Sequence, residues 1–431
     1  MSASAISVGA TARSRWWQLA LGLVVMMSIS SPQYTWALFT GPLTKAFGVQ
    51  LSTVQITFTL LIVFQTFLSP FQAYLVEFFG PRALISLGAL MAGVAWVLTA
   101  YAPNVYVLYF AYGVIGGIGT GIVYIGVIGL MVRWFPDRRG FAAGMVAAGY
   151  GMGAILTTYP ITDMVKSADW GYAKTLLVWG VIQGAIGFLA ALGLRSPPTG
   201  YGIMHALPTQ QQSSRGFTPG EMLQSPIFYL LFVMMTMMST GGLMVVSNVG
   251  AFAKQYNVAD AIVLGTAALP LSLTLSRFTN GLTRPFFGWV SDHIGRENTM
   301  GLAFLLEAAA ILVMFAFINN PALFVVMTGL VFFGWGEIFS LFPSTLADTF
   351  GTKFATTNYG CLYIAQGIGS FLGSYVAARL EEMTGSWTMV FFIVAALDAI
   401  TGILALTALK YMRQRHIGAE SAPASASPRV A

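Results

Sequence analysis

Arg277–Gly295 reads RFTNGLTRPFFGWVSDHIG, and it starts inside an apolar run that begins near position 261. A run of that length crosses a bilayer as a helix. Arg277, Asn280 and Arg284 fall at i, i+3 and i+7, so all three share one helix face. An arginine at bilayer depth costs about 3 kcal/mol or more unless it faces water, an anion or a partner. Two such residues on one stripe therefore mark a candidate site. The stretch then leaves the membrane through Gly288, Asp292, Gly295 and Arg296, a turn-like pattern that recurs in degraded form around Glu77 and Gly80.

The rest of the chain agrees with a membrane setting. Of its 431 residues 56% are apolar and 8% charged, against roughly a quarter charged in soluble domains. This composition overrides the two or three soluble domains that length alone suggests. The net charge of +6 is spread over short loops with no contiguous basic face, so no nucleic-acid partner is expected. Cys361 is the only cysteine, which excludes an intramolecular disulfide. His205, His293 and His416 show no ligand spacing, so neither a metal nor another cofactor is expected. The first apolar run is too long for a signal-peptide core and is read as a span.

Twelve apolar runs are predicted to cross the bilayer, at about 16–39, 54–77, 83–102, 105–132, 141–164, 173–194, 227–252, 261–290, 299–318, 321–347, 356–378 and 387–410. Between the sixth and seventh lies GYGIMHALPTQQQSSRGFTPGE (200–221), the longest hydrophilic stretch between spans. The expected organisation is a six-helix bundle over 1–195, a linker over 196–225, a second bundle over 226–410 and a disordered tail over 411–431. With alternating spans, Lys45, Lys166, Lys174, Lys254 and Arg379 fall on one side, and fourteen Lys and Arg residues fall on the other with the termini. The positive-inside rule then places both termini and the linker in the cytoplasm.

An internal echo supports the division. AYLVEFFGPR (73–82) follows span two and GWVSDHIGRE (288–297) follows span eight. Glu77 aligns with Asp292 and Gly80 with Gly295, both at an offset of 215, about half the chain. A duplicated six-helix unit is the simplest source of that offset.

Twelve spans, a central loop and G-x-x-x-D-x-x-G-R between spans eight and nine make the chain resemble the major facilitator superfamily. His293 replaces the usual base of that motif, and the first half departs further, with Ala73, Glu77 and Pro81. A carboxylate at such a helix end can latch one conformation against a neighbouring helix N-terminus; the alternative is an ordinary charged loop. Within the superfamily the chain resembles the oxalate:formate antiporter family, related to monocarboxylate transporters. The resemblance rests on QYTWALF (33–39), GGIGTGIVYIG (116–126), RWFPDRRG (133–140), GYGMG (149–153), NGLTRPFFGWVSDHIGR (280–296), FFGWGEIFSLFPS (332–344) and NYGCLYIAQGIGS (358–370).

The resemblance implies an all-α, two-bundle transporter in a bacterial inner membrane, monomeric, working by alternating access around a midplane site. It implies that Arg284 binds substrate carboxylate, and that Tyr34, Trp36, Tyr124 and Trp335 line the cavity. Oxalate-carrying members place a lysine in span eleven, where this chain has Gln366. Loss of that charge is expected to favour one carboxylate, as in formate, lactate or pyruvate, over a dianion. Arg277 is an alternative second cation, although it stands two turns along the same helix.

The residues support this chemistry in their own right. A guanidinium stays charged at biological pH and grips a planar carboxylate with two parallel bonds. Asn280 is placed to orient that fork or to bond the substrate. The other reading pairs Arg284 with Glu307, Glu337 or Asp398, the acids within second-half spans. For Arg277, substrate contact and an acid partner stand equally. Glu337 is read either as a proton carrier or as a counter-ion. No GxxxxGK[ST] loop and no catalytic dyad are present, so secondary transport, by anion exchange or proton symport, is expected rather than enzymatic activity. A carboxylate sensor or anion channel is the rival, and the short linker and tail offer no output domain.

Overall fold

The structure, a computed structural model, describes residues 3–135, 139–198, 213, 215–351 and 354–421. The side chains of Glu77 and Asp292, the two acids of the repeated turn, lie outside the described residues. The chain is almost entirely helical. Eight described helices are individually long and apolar enough to cross a membrane, and Leu51–Thr66 with Ser69–Val76, bent by 49°, makes a ninth. The other three expected spans are helical but interrupted or polar. Span one runs as Ala3–Ser28, Ser31–Tyr34 and Trp36–Phe47, and span five as Arg139–Met152 and Ile155–Lys166. Span eight is the single helix Ala268–Ile294, made less apolar by its own arginine stripe.

The packing repeats with a period of six spans. Span three packs on six as nine packs on twelve; two packs on four as eight packs on ten; one packs on five as seven packs on eleven. Contacts between the halves run from two to eleven, from five to eight and from one to seven. The first two of these exchange when the halves exchange, and the third maps onto itself. Local chemistry repeats as well. Gly80 (φ 86°, ψ 150°) and Gly295 (φ 91°, ψ 154°) adopt one and the same conformation, each preceding a new helix. Only glycine occupies that region without strain, so it turns the chain at both places. Asn104 and Asn320 repeat similarly: each side chain accepts two amide hydrogens and caps the start of spans four and ten.

Small residues set the interhelical distances. The face formed by Gly113, Gly117 and Gly121 lies against span two, where a Cβ on Gly117 would come within 2.5 Å of the Leu61 carbonyl oxygen. A face of this kind permits the close helix contact that drives association in lipid.

Two boundaries differ from the sequence reading. Span eight begins at Ala268 rather than 261, because Ile262–Val263 and Thr266–Ala267 form a small antiparallel hairpin. Its turn places Leu264 and Gly265 at positive φ. The expected disordered tail is helical as far as Ser421. There the Arg413 guanidinium pairs with Glu297 and donates to Thr349 Oγ1 at 2.9 Å, while Lys410 donates to Asn298 at 3.1 Å. The end of the linker docks on the second half through Phe217 N–H to Phe350 O (2.8 Å) and Asn358 Nδ2 to Phe217 O (3.1 Å). A capping box of Thr218 and Glu221 then starts the short helix Pro219–Met222.

Candidate functional site

Span eight turns its polar stripe inward, between the halves. Arg277 and Asn280 are fully buried and Arg284 is 2% exposed. Among the described residues no acidic side chain lies within ion-pair distance of either arginine. Aromatic faces hold the charges instead. The Arg277 guanidinium lies 4.3 Å from the ring centroids of both Tyr34 and Phe332, and that of Arg284 lies 4.6 Å from Phe339. A desolvated contact of this type contributes about 2 kcal/mol.

The two guanidiniums differ in what they leave open. Arg277 spends Nε on the Leu273 carbonyl (3.3 Å) and Nη2 on Ser276 Oγ (3.0 Å), leaving Nη1 without a partner. Arg284 donates Nη1 to the Ala147 carbonyl oxygen at 2.5 Å, and its Nε and Nη2 have no partner. Nε–H and Nη2–H point in parallel along one edge of a guanidinium. That edge is the one that receives both oxygens of a carboxylate. Arg284 therefore presents a complete fork, and Arg277 a single donor.

Asn280 sits between them. Its Nδ2 donates to Tyr34 OH at 3.2 Å and its Oδ1 is unpartnered. Span ten breaks opposite it, between Pro321–Trp335 and Ile338–Phe350. Gly336 lies at this break, pressed so close that a Cβ would come 2.5 Å from Asn280 Oδ1 and 2.2 Å from Thr283 Cγ2. From the first half, Gly151 brings span five to the same place, with a Cβ position 3.3 Å from Asn280 Nδ2 and 3.6 Å from Arg284 Nη2.

A chain of tyrosines runs from this place across the halves. Ring centroids are 5.4 Å apart for Tyr34 and Tyr150, 5.2 Å for Tyr150 and Tyr124, and 5.6 Å for Tyr124 and Tyr363, the last pair nearly parallel. Tyr150 donates its hydroxyl to Gln33 at 2.6 Å. Trp335 packs edge-on against both Phe332 and Phe339, the rings that cover the arginines, and its indole N–H is unpartnered. The site is thus apolar-walled, strongly positive and supplied with unused donors, a combination suited to a small planar anion.

Not every expected residue reaches this place. Trp36 points elsewhere: its indole donates to Gln55 at 2.9 Å and its ring packs on Tyr112 and Phe58. Gln55 in turn donates to Ser247 O and Asn248, so Trp36 supports the contact between spans two and seven. Gln366 is buried with its carbonyl oxygen unpartnered, and no hydrogen bond joins it to either arginine. Glu337 is fully buried at the span-ten break with both oxygens unpartnered, so the counter-ion arrangement is not the one observed. In the repeated turn, Arg296 pairs with Asp348 at 3.1 Å and donates to Ser291, tying the start of span nine to the end of span ten. Gly288 lies in span eight one turn before Asp292.

Sequence reasoning passed over Tyr150, Tyr363, Phe332 and Phe339. All four stand inside motifs that carry the family resemblance, GYGMG, NYGCLYIAQG and FFGWGEIF. Their aromatic side chains gave no signal above that of ordinary core packing.

Comparison with known proteins bears on the family and the fold. The sequence model of the Major Facilitator Superfamily matches residues 19–280 and 265–430. The chain is 34% identical over 394 residues to the oxalate:formate antiporter of Oxalobacter formigenes, covering 91% of each protein. It is 28% identical to an uncharacterized MFS-type transporter of Escherichia coli K12, over 83% of this chain and 86% of that one. It is 24% identical to monocarboxylate transporter 13 of Bos taurus, over 80% of this chain and 77% of that one. On the superfamily match, the doubled packing and the extent of the antiporter similarity, the chain belongs to the Major Facilitator Superfamily, on its oxalate:formate antiporter branch.

Proposed function

We propose that this protein carries small organic carboxylates across a bacterial inner membrane by alternating access, with Arg284 as the anion anchor. The observation that carries the reading is the free Nε–Nη2 edge of Arg284, buried beneath Phe339 with no carboxylate in reach among the described residues. The names of the antiporter and monocarboxylate relatives point to the same substrate class. Rocking of one half against the other exposes the site to each side in turn. The contacts between spans one and seven, two and eleven, and five and eight are those that open and close.

Within this class, one carboxylate fits better than two. The complete fork is single, Arg277 offers one donor, and Gln366 is neutral. Formate, lactate and pyruvate are the favoured substrates, with oxalate bound only if Arg277 takes its second carboxylate. Coupling is by exchange for another anion or by proton symport. The termini and the linker face the cytoplasm, following the basic residues, and the working unit is a monomer.

Counterflow tests the reading. Purified protein in liposomes loaded with unlabelled formate, lactate, pyruvate or oxalate takes up the corresponding labelled anion saturably, whereas liposomes loaded with a neutral sugar show no such acceleration. Saturable uptake of sugars or cations, with none of any carboxylate, would contradict it.

A further inference from the structure

Five basic side chains stand at the end of the molecule away from the termini. Lys166 pairs with Asp260 at 2.6 Å, Arg379 pairs with Glu382 at 3.1 Å, and Lys174 donates to the Asp169 carbonyl at 2.7 Å. Among the described residues Lys45 and Lys254 pair with no acid, and these two line one cavity of about 340 Å³ together with Thr44, Gly41 and Gly250. The cavity lies on the seam between the halves. Lys254 belongs to span seven, yet its ammonium rests against Gly41 of span one, where a Cβ would stand 2.5 Å from Nζ. One turn along span seven, Gly250 abuts the Ala37 carbonyl oxygen, with a Cβ position 2.4 Å away. The seam below the cavity is therefore closed, and Tyr34, which touches Arg277 and Asn280, lies just beyond Ala37 in span one.

Each lysine sits in the last turn of its helix, which favours a positive charge there. That placement does not account for both lining one cavity. Two ammonium groups that share a cavity repel each other, and an anion between them reverses the sign of the interaction. An ammonium is also a strongly hydrated point charge without a fork, suited to loose capture rather than to firm binding.

We propose that Lys45 and Lys254 form a receiving site for the transported carboxylate at the outer mouth, filled before the seam of spans one and seven opens toward Arg284. The proposal rests on the carboxylate reading above. Such a site raises the local anion concentration and the rate of capture, and its effect fades with ionic strength.

The test is side-resolved kinetics in proteoliposomes, using formate and pyruvate at low and high ionic strength. The double variant Lys45→Gln/Lys254→Gln is compared with wild type and with Lys45→Arg/Lys254→Arg. We expect the outer KM of the Gln variant to rise five- to tenfold at low salt and to converge with wild type at high salt. The KM measured from the side of the termini stays unchanged, and the Arg variant behaves as wild type. An unchanged outer KM, or equal rises on both sides, would overturn the receiving site while leaving the Arg284 reading intact. Absence of any carboxylate uptake by the wild type would overturn both.

Discussion

Arg284 donates a hydrogen bond to the carbonyl oxygen of Ala147 at 2.5 Å, and the two residues belong to different halves of the molecule. The proposed anion anchor is therefore tied through its own side chain to span five of the opposite half. One nitrogen holds the opposite half while the other two have no hydrogen-bond partner. A change at the fork is felt at the interface without an intermediary. Arg284→Lys keeps the charge but cannot make both connections. Its uptake is expected to fall at least tenfold in kcat/KM, and a variant indistinguishable from wild type in transport assays would separate the interface bond from function.

Arg277 is held by two aromatic faces, Tyr34 and Phe332. Phe332→Leu removes one of them at a cost of about 0.5–2 kcal/mol. If Arg277 takes the second carboxylate of a dianion, Arg277→Gln raises the KM for oxalate several times more than that for formate. Equal effects on both anions, in parallel uptake assays, would make Arg277 a structural residue.

The break in span ten depends on Gly336. A Cβ there meets Asn280 Oδ1 at 2.5 Å and Thr283 Cγ2 at 2.2 Å, and span eight has to move. Overpacking of this kind costs about 1–3 kcal/mol. Gly336→Ala is expected to lower the melting temperature by a few degrees and to reduce substrate affinity about tenfold, because it displaces Asn280 from between the arginines. Thermal melts and binding measured on the same preparation check both parts.

Gly250 closes the outer seam against the Ala37 carbonyl. Gly250→Ala wedges spans one and seven apart and shifts the population toward the outward-open form. In a Cys361→Ser background, a cysteine introduced in place of Thr35, which is fully buried, is expected to react several times faster with an impermeant maleimide applied from the outer side. Unchanged labelling would mean that the seam opens elsewhere.

Glu337 has no partner for either oxygen and follows Gly336 at the break in span ten. Burial without a partner is costly for a charged carboxylate. If Glu337 carries the coupled proton, Glu337→Gln retains anion exchange and loses stimulation by an inward proton gradient. Loss of both, with the protein still folded, would assign it to substrate binding instead.

The sequence conveyed the frame because each part of it rests on a local rule. Apolar length marked nine of the twelve expected crossings, the offset between Glu77 and Asp292 pointed to the duplication, and the three polar residues of span eight shared a face by helical period alone. The backbone of Gly80 and Gly295 then repeated what the motif had suggested. The site was legible in its charges and not in its walls. A buried arginine is conspicuous in an apolar run, whereas Phe339 and Tyr363 look like any other core aromatic until the halves are brought together. Trp36 shows the converse. Its motif carries the family resemblance, but its indole follows Gln55 into the interior, because the chain breaks at Thr35 and turns Tyr34 and Trp36 in different directions. The helical tail was missed because its anchor, Arg413 on Glu297, joins positions more than a hundred residues apart.

The most direct test of the Arg284 anchor is calorimetric titration of formate, pyruvate and oxalate into purified wild type and Arg284→Gln, each first shown to be folded by its thermal melt. Loss of a two-bond, charge-assisted contact is worth about 3 kcal/mol or more, which is on the order of 100-fold in affinity. Saturable binding of a monocarboxylate to wild type, and weakening of that order in the variant at an unchanged melting temperature, is the expected result. Equal affinity in the two proteins would mean that the carboxylate is held elsewhere and that the free edge of Arg284 is not its anchor.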